Sequence, residues 1–311
     1  MYTKPKVWTG RVDGQSEEHL RWHQAIMIED LKHISKSFDY GILGFVCDEG
    51  VKRNKGRTGA KKGPEFLRKA CFNFPKIKNI QFADYGNVVC EDNQLENAQE
   101  NLVAAVFKIQ QQNTKTIVFG GGHEVLFGHF CGLRKAFPNQ RIGIINFDAH
   151  FDNRVIDNTI GATSGTGFWQ IAQQDQNFKY LAIGIQQNSN TQALFEEAQK
   201  TATTYILADD LILEKEKEIF QKIEDWMENI DILYVSVCLD VFADPFAPGV
   251  SATAYNGIIP DYFFKKVFRK ALNSEKLKAF DIAELNPDFD INNRTAKLAA
   301  SLVFELFSLK R

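Results

Sequence analysis

The sequence predicts an α/β protein: a mainly parallel sheet with helices on both faces. Three observations predict it. From residue 40 onward, apolar β-rich runs alternate with segments of helical periodicity, the pattern of a parallel sheet joined by helical crossovers. The strand runs are almost wholly apolar, as strands buried on both faces must be. No Pro/Gly/Ser-rich linker, repeat or low-complexity tract interrupts them, so residues 1–311 are expected to form one domain, with 1–38 an extension packed on the body.

The elements follow in order. Within the extension, VDGQSEEHLRWHQAI is read as one polar, Trp-containing helix. YGILGFVCD (40–48) is a strand with its loop, and QLENAQENLVAAVFKIQQQ (94–112) carries apolar residues at helical spacing. TKTIVFG is a strand, EVLFGHFCGLRKAF a helix and RIGIINFDAH a strand. Next come the strand KYLAIGI, the helices NTQALFEEAQK and EKEKEIFQKIEDWMENI, and the strand DILYVSVCLD. The helix DYFFKKVFRKAL, the strand LKAFDIAEL and the helix RTAKLAASLVFELF close the chain.

A net charge of −2 supplies no field that would draw the protein to nucleic acid or to a membrane surface. No run approaches the ~18 apolar residues of a membrane span, and the opening MYTKPKVWTG lacks a signal-peptide core. The five cysteines (Cys47, Cys71, Cys90, Cys131, Cys238) are scattered without a CxxC pair, which reads as reduced thiols. A soluble, cytoplasmic protein is expected. The basic run Lys52, Arg53, Lys55, Arg57, Lys61, Lys62 has no interleaved aromatics, which disfavours a nucleic-acid role and leaves a solvated or a substrate-gating loop. His19, His23, His33 and His129 are expected at the surface or satisfied in the core.

In open parallel sheets ligands bind beyond the carboxyl ends of the strands. One strand, IINFDAHFDNR, ends with Asp148, His150 and Asp152, and alternation along a strand would project all three to one face. Two buried carboxylates and an imidazole together are costly unless a cation compensates them. The strand ILYVSVCLDVFAD repeats the pattern with Ser236, Cys238 and Asp240.

GGGHEVLFG (120–128) adds His123 directly after an apolar run. A zinc-protease helix needs H-E-x-x-H, but Phe127 stands where the second His belongs. A phosphate loop needs G-x-x-x-x-G-K-[ST], absent here and from NKGRTGAKKG. The glycines are instead expected to let the chain turn sharply and bring His123 to the acids. This mixture of hard and borderline ligands suits Mn²⁺ or a similar divalent ion.

Taken together, GGGHE, NFDAHFD, S-x-C-x-D-V…FAPGVSA and AELNP…TAKLAA resemble the ureohydrolases (arginase, agmatinase, formimidoylglutamase), in the family's order and from about residue 40 to the C-terminus. CDEGVKRNKGRTGAKKGPEFLR (47–68), GGGHE and FAPGVSA (246–252) look most like the formimidoylglutamases. The resemblance implies an arginase-like three-layer α/β/α sandwich, a two-manganese centre and often a homo-oligomer. It implies a small-molecule reaction, hydrolysis of N-formimidoyl-L-glutamate to L-glutamate and formamide in histidine degradation. By the same resemblance His123, Asp148, Asp152 and position 238 would hold one ion, and Asp148, His150, Asp240 and position 238 the other. Asp152 would also shuttle the catalytic proton.

Glu284 in DIAELNP is the candidate partner of the amidinium-like group, because a carboxylate accepts two parallel N–H donors. Arg154, where arginases carry Asn, would grip the substrate carboxylate bidentately, and Ser164 would donate its hydroxyl to it. Phe168 in SGTGF stands where arginases place a histidine, and Gly167 where formimidoylglutamases commonly have Pro. The loop after the second ligand strand also departs: the family's Asp-Pro at 243–244 is here Ala243 followed by Asp244-Pro245.

The sharpest departure is Cys238, which replaces the aspartate expected to bridge both ions. A thiolate is a soft ligand, whereas Mn²⁺ prefers oxygen. The site is thus expected to bridge through sulfur with a softer ion, to hold a single ion, or to be inactive. Two alternatives therefore stand beside formimidoylglutamase. One is a guanidino hydrolase, against which Arg154 argues by repelling a cationic substrate. The other is a non-catalytic metal-binding member of the family.

Overall fold

The computed structural model describes residues 1–34 and 36–309. Among the described residues ten strands form one sheet: β1 (Tyr2–Thr3), β2 (Met27–Ile28), β3 (Tyr40–Val46), β4 (Phe82–Val89), β5 (Lys115–Phe119), β6 (Ile142–Phe147), β7 (Lys179–Ile185), β8 (Thr204–Leu207), β9 (Ile232–Cys238) and β10 (Leu277–Ala283). Their order is β1-β4-β3-β5-β10-β9-β6-β7-β8, with β2 also paired to β4. Every pairing is parallel except that of β1 with β4.

Side-chain alternation divides the core into two layers around this sheet. Ile145 and Phe147 of β6 pack with Phe264, Phe268 and Val303 on one face. Ile142 and Ile144 pack with Leu126, Phe130 and Phe168 on the other. Helices Gly63–Cys71, Glu216–Glu228, Tyr262–Leu272 and Arg294–Ser308 cover the first face. Helices Leu95–Gln110, Val125–Ala136, Gly167–Gln174 and Gln192–Lys200 cover the second. The result is a three-layer α/β/α sandwich with a mostly parallel sheet, the expected architecture.

The N-terminal segment departs from expectation. VDGQSEEHLRWHQAI forms a 3₁₀ turn, Glu17–His19, and a four-residue helix, Trp22–Ala25. The backbone N–H groups of Trp22 and His23 donate to Phe74 and Phe72 carbonyls, so part of this stretch bonds to the body as well as to itself. Trp22 is fully buried against Phe74, Phe82 and Phe307, and that contact overrides local helix propensity.

The extension is also tied down by charge. Asp84 on β4 is fully buried and accepts from Arg68 Nε (2.8 Å) and Nη2 (2.9 Å), from Trp8 Nε1 and from the Gly86 amide. Removing one partner of such a pair leaves an uncompensated buried charge, at about 3–5 kcal/mol. Arg68→Met should therefore lower stability by that amount in urea denaturation, and a shift no larger than a surface substitution gives would contradict this account.

Candidate metal centre

β5, β10, β9 and β6 are consecutive neighbours in the sheet, and the polar residues just past their carboxyl ends meet in one place. His123 follows β5, Glu284 follows β10, Cys238 ends β9 with Asp240 in the next turn, and Asp148, His150 and Asp152 follow β6. All of these except Asp148 line a cavity of about 170 Å³.

The route by which they converge differs from strand alternation. β6 ends at Phe147, so Asp148, His150 and Asp152 lie in a loop. The loop folds back because Asp148 Oδ1 accepts from the His150 amide (2.8 Å), Asn190 Oδ1 from the Phe151 amide, and the Asp152 carbonyl from the Phe168 amide. Asp152 has φ +46°, in the left-handed region that few non-glycine residues adopt. Asp240 likewise sits in a 3₁₀ turn, Leu239–Val241, rather than on β9.

His123 Nδ1 lies 2.7 Å from Asp152 Oδ2 and 3.1 Å from Asp148 Oδ2. His150 Nδ1 lies 3.6 Å from Asp148 Oδ1 and 3.3 Å from Asp240 Oδ2. Asp148 thus stands between two imidazole clusters with one oxygen toward each. Ser236 Oγ donates to Asp281 Oδ1 at 2.7 Å and lies 3.0 Å from His123 Nε2. With its proton committed to Asp281, Ser236 accepts from His123 Nε2–H. His123 then presents its Nδ1 to the acids, the orientation that outer hydrogen bonds impose on metal-binding imidazoles.

The glycine turn acts through close approach. Gly120, Gly121 and Gly122 have no positive φ, so the expected sharp turn is not what requires glycine there. A Cβ at Gly121 would sit 1.7 Å from the Cys47 carbonyl oxygen, and one at Gly122 2.1 Å from Glu124 Oε2. The Gly122 amide donates to that same Cys47 carbonyl at 2.9 Å. Gly121→Ala should push the turn off Cys47 and displace His123, at a cost of about 1–3 kcal/mol or more. Denaturation and divalent-metal affinity measured on one sample would check it; a variant unchanged in both contradicts the packing argument.

The electrostatics are those of a buried acid and imidazole cluster. Burial raises Asp152 and Asp240 above the usual carboxylate range, and the charge of Asp148 adds to it. Glu284 is pushed well up by burial and by the charges of Glu124 and Asp240. Burial opposes ionisation of Asp148, but hydrogen bonds from His123 and His150 outweigh it and hold that carboxyl low. Burial likewise works against a charged His150, yet Asp240 and Asp148 raise it to about 11. The Cys238 thiol is pushed well up by burial and by Asp148 and Asp240.

The donors fit a divalent ion. Asp240 Oδ1 and Glu284 Oε2 are buried without a hydrogen-bond partner among the described residues, an expensive state for carboxylate oxygens that a cation relieves. Two ligand groups occur: His123, Asp148 and Cys238, and Asp148, His150 and Asp240, each with its donor atoms within 4.8 Å of one another.

Glu284 adopts φ +69° and its Oε1 accepts from the His123 amide at 2.9 Å, leaving Oε2 toward the cavity. Arg154 is exposed at the rim, its amide donating to the Gly165 carbonyl. Ser164 is buried and accepts from Asn54 Nδ2 at 3.2 Å. Phe168 does not line the cavity; it is buried behind the edge of His123 and stacked on Tyr180.

Sequence reasoning missed Asn54 and Ser251, which also line the cavity, and the role of Ser236 beside His123. The basic loop is a wall of the site. Arg57 donates to the Val250 and Ser251 carbonyls, Arg53 pairs with Glu96, and Lys62 pairs with Asp288. His129 is a satisfied core histidine, between Thr116 Oγ1 and Asp281 Oδ2. Among the described residues no helix is long and apolar enough to cross a membrane.

Known proteins share this chain's pattern. The model of the Arginase family matches residues 38–308. A formimidoylglutamase of Staphylococcus aureus is 38% identical over 305 residues, covering 96% of this chain and 97% of that protein. The crystal structure of formimidoylglutamase from Bacillus subtilis superposes with a TM-score of 0.81 at 17% identity, over 96% of this chain and 95% of that one. Trypanosoma cruzi formiminoglutamase with Mn²⁺ gives 0.76 at 22%, over 88% and 93%. At those identities the two structures speak to the fold, while the family match and the Staphylococcus relative speak to descent. The chain belongs to the arginase family.

Proposed function

We propose that this chain is a cytoplasmic, single-domain, manganese-dependent formimidoylglutamase that hydrolyses N-formimidoyl-L-glutamate to L-glutamate and formamide, a step of histidine degradation. The observation that carries the reading is Asp148 between two imidazole–carboxylate clusters that line a cavity whose rim bears Arg154. The extended similarity to relatives named formimidoylglutamase supports the choice of substrate.

His123, Asp148 and Asp152 would hold one ion with Cys238, and Asp148, His150 and Asp240 the other. Bound there, manganese would acidify a water so that hydroxide is available as the nucleophile nearer neutral pH. Glu284 offers Oε2 to the N–H groups of the formimidoyl carbon under attack. Its Oε1 is fixed by the His123 amide, so that offer is preorganised. Arg154, Ser164 and Asn54 receive the glutamate carboxylates at the open end, where a cation repels arginine or agmatine. Asp152 takes the proton of the attacking water and returns it to the departing amine of glutamate.

Product analysis tests the proposal. Manganese-loaded protein should release formamide from N-formimidoyl-L-glutamate and no urea from L-arginine or agmatine. Urea release at a comparable kcat/KM would make it a guanidino hydrolase instead.

A further inference from the structure

We infer that Cys238 is a metal ligand whose sulfur makes the His123 half of the centre select a thiophilic divalent ion, such as zinc or cobalt(II), while the His150 half keeps manganese. The inference rests on the reading of this cluster as a metal centre and goes beyond it in the ion that each half selects.

Placement comes first. Cys238 is the last residue of β9 and is buried, yet it is not among the residues of either apolar core layer, whereas Cys47 and Cys71 are. It faces the cavity that His123, Asp240 and Glu284 line. An inert core thiol is expected among hydrocarbon, because it is a small hydrophobe and a weak donor. Here its Sγ lies within 4.8 Å of donor atoms of His123 and Asp148.

The sulfur completes a donor set on one side of the centre, while its thiol also donates to Asp240 of the other. It groups with His123 and Asp148, while Asp148, His150 and Asp240 form a second set made of oxygen and nitrogen alone. Those two sets favour different metals. Hard oxygen donors suit manganese, and thiolate selects softer ions; manganese is also the weakest binder of its series at a mixed site. His123, Asp148 and Cys238, with Asp152 beside them, offer one nitrogen, one sulfur and carboxylate oxygens, the donor types that bind zinc. Binding forms a metal–sulfur bond and sends the thiol proton to solvent. The two half-sites would then discriminate between ions while sharing one carboxylate.

Cobalt(II) provides a readout independent of turnover. Metal-free protein titrated with cobalt(II) should develop a near-ultraviolet sulfur-to-cobalt charge-transfer band, absent in Cys238→Ser. Protein offered equal zinc and manganese should retain one of each by elemental analysis. Cys238→Asp should lower its zinc-to-manganese ratio by at least about tenfold, the scale on which altered ligand surroundings change metal affinity. Cobalt bound without the band, or a ratio indifferent to Cys238→Asp, overturns the inference and leaves the metal centre standing. Protein that retains no divalent ion under any condition overturns both.

Discussion

Asp148→Asn is expected to remove at least one bound divalent ion and to reduce hydrolysis of N-formimidoyl-L-glutamate to background. The residue is fully buried and uses both oxygens: Oδ2 lies 3.1 Å from His123 Nδ1 and accepts from Asn146 Nδ2, and Oδ1 accepts from the His150 amide. Asparagine preserves the volume and one oxygen, so the loop after β6 keeps its amide acceptor. The negative charge and the second acceptor go, and an amide donor turns toward an imidazole. Even outer partners of ligands carry roughly 10–100-fold in metal affinity, and a shared inner carboxylate should exceed that range. A thermal melt gives an independent reading, because an ion at a hundredfold excess over Kd stabilises the folded state by about 2.7 kcal/mol. The manganese-dependent rise in Tm should shrink or vanish in the variant. If elemental analysis finds full metal content, Asp148 does not join the two clusters and the centre has been drawn wrongly.

The residues of that centre were legible in the sequence, but for a reason the structure replaces. Asp148, His150 and Asp152 stand out as acids and an imidazole closing an apolar run, and buried parallel strands end at ligand sites. Strand parity, which seemed to align them, does not operate: the strand stops at Phe147, and a loop with φ +46° at Asp152 gathers them instead. Non-local contacts hid the rest. Asn54 reaches the cavity because Arg57 bonds its loop to the Val250 and Ser251 carbonyls almost two hundred residues away, and no local pattern encodes such a contact.

Strand β4 escaped notice because Asp84 interrupts its apolar run, and Arg68, Trp8 and the Gly86 amide together make a buried aspartate tenable there. β1 and β2, two residues each, are too short to show any periodicity. By contrast β3, β7, β9 and β10 are long, apolar and buried almost throughout, and their positions followed directly from composition. Helix Tyr262–Leu272 was equally plain, with Asp261 capping it through the Phe264 amide, as caps of this type do.

Asp152→Asn is expected to lower kcat at saturating manganese by about 10²–10⁴-fold, the usual contribution of a positioned proton carrier, while leaving KM near that of the parent protein and weakening metal binding by about 10–100-fold. Asp152 is the acid of the cluster best placed for that duty: its Oδ2 lies 2.7 Å from His123 Nδ1, and it lines the cavity where Asp148 does not. Asparagine keeps one oxygen for a cation and for His123 but cannot carry a proton. Asp152→Ala removes both functions. The pair of variants therefore separates two roles that a single deletion would merge. If Asp152 carries the proton, Asn should bind metal yet turn over slowly, and a small exogenous acid–base pair such as imidazole should restore part of its rate. Ala should lose metal as well, with no such rescue. If it acts only as a ligand, Asn should retain nearly the full kcat, and that result would move proton transfer to another group in the cavity, with Glu284 the next carboxylate in line.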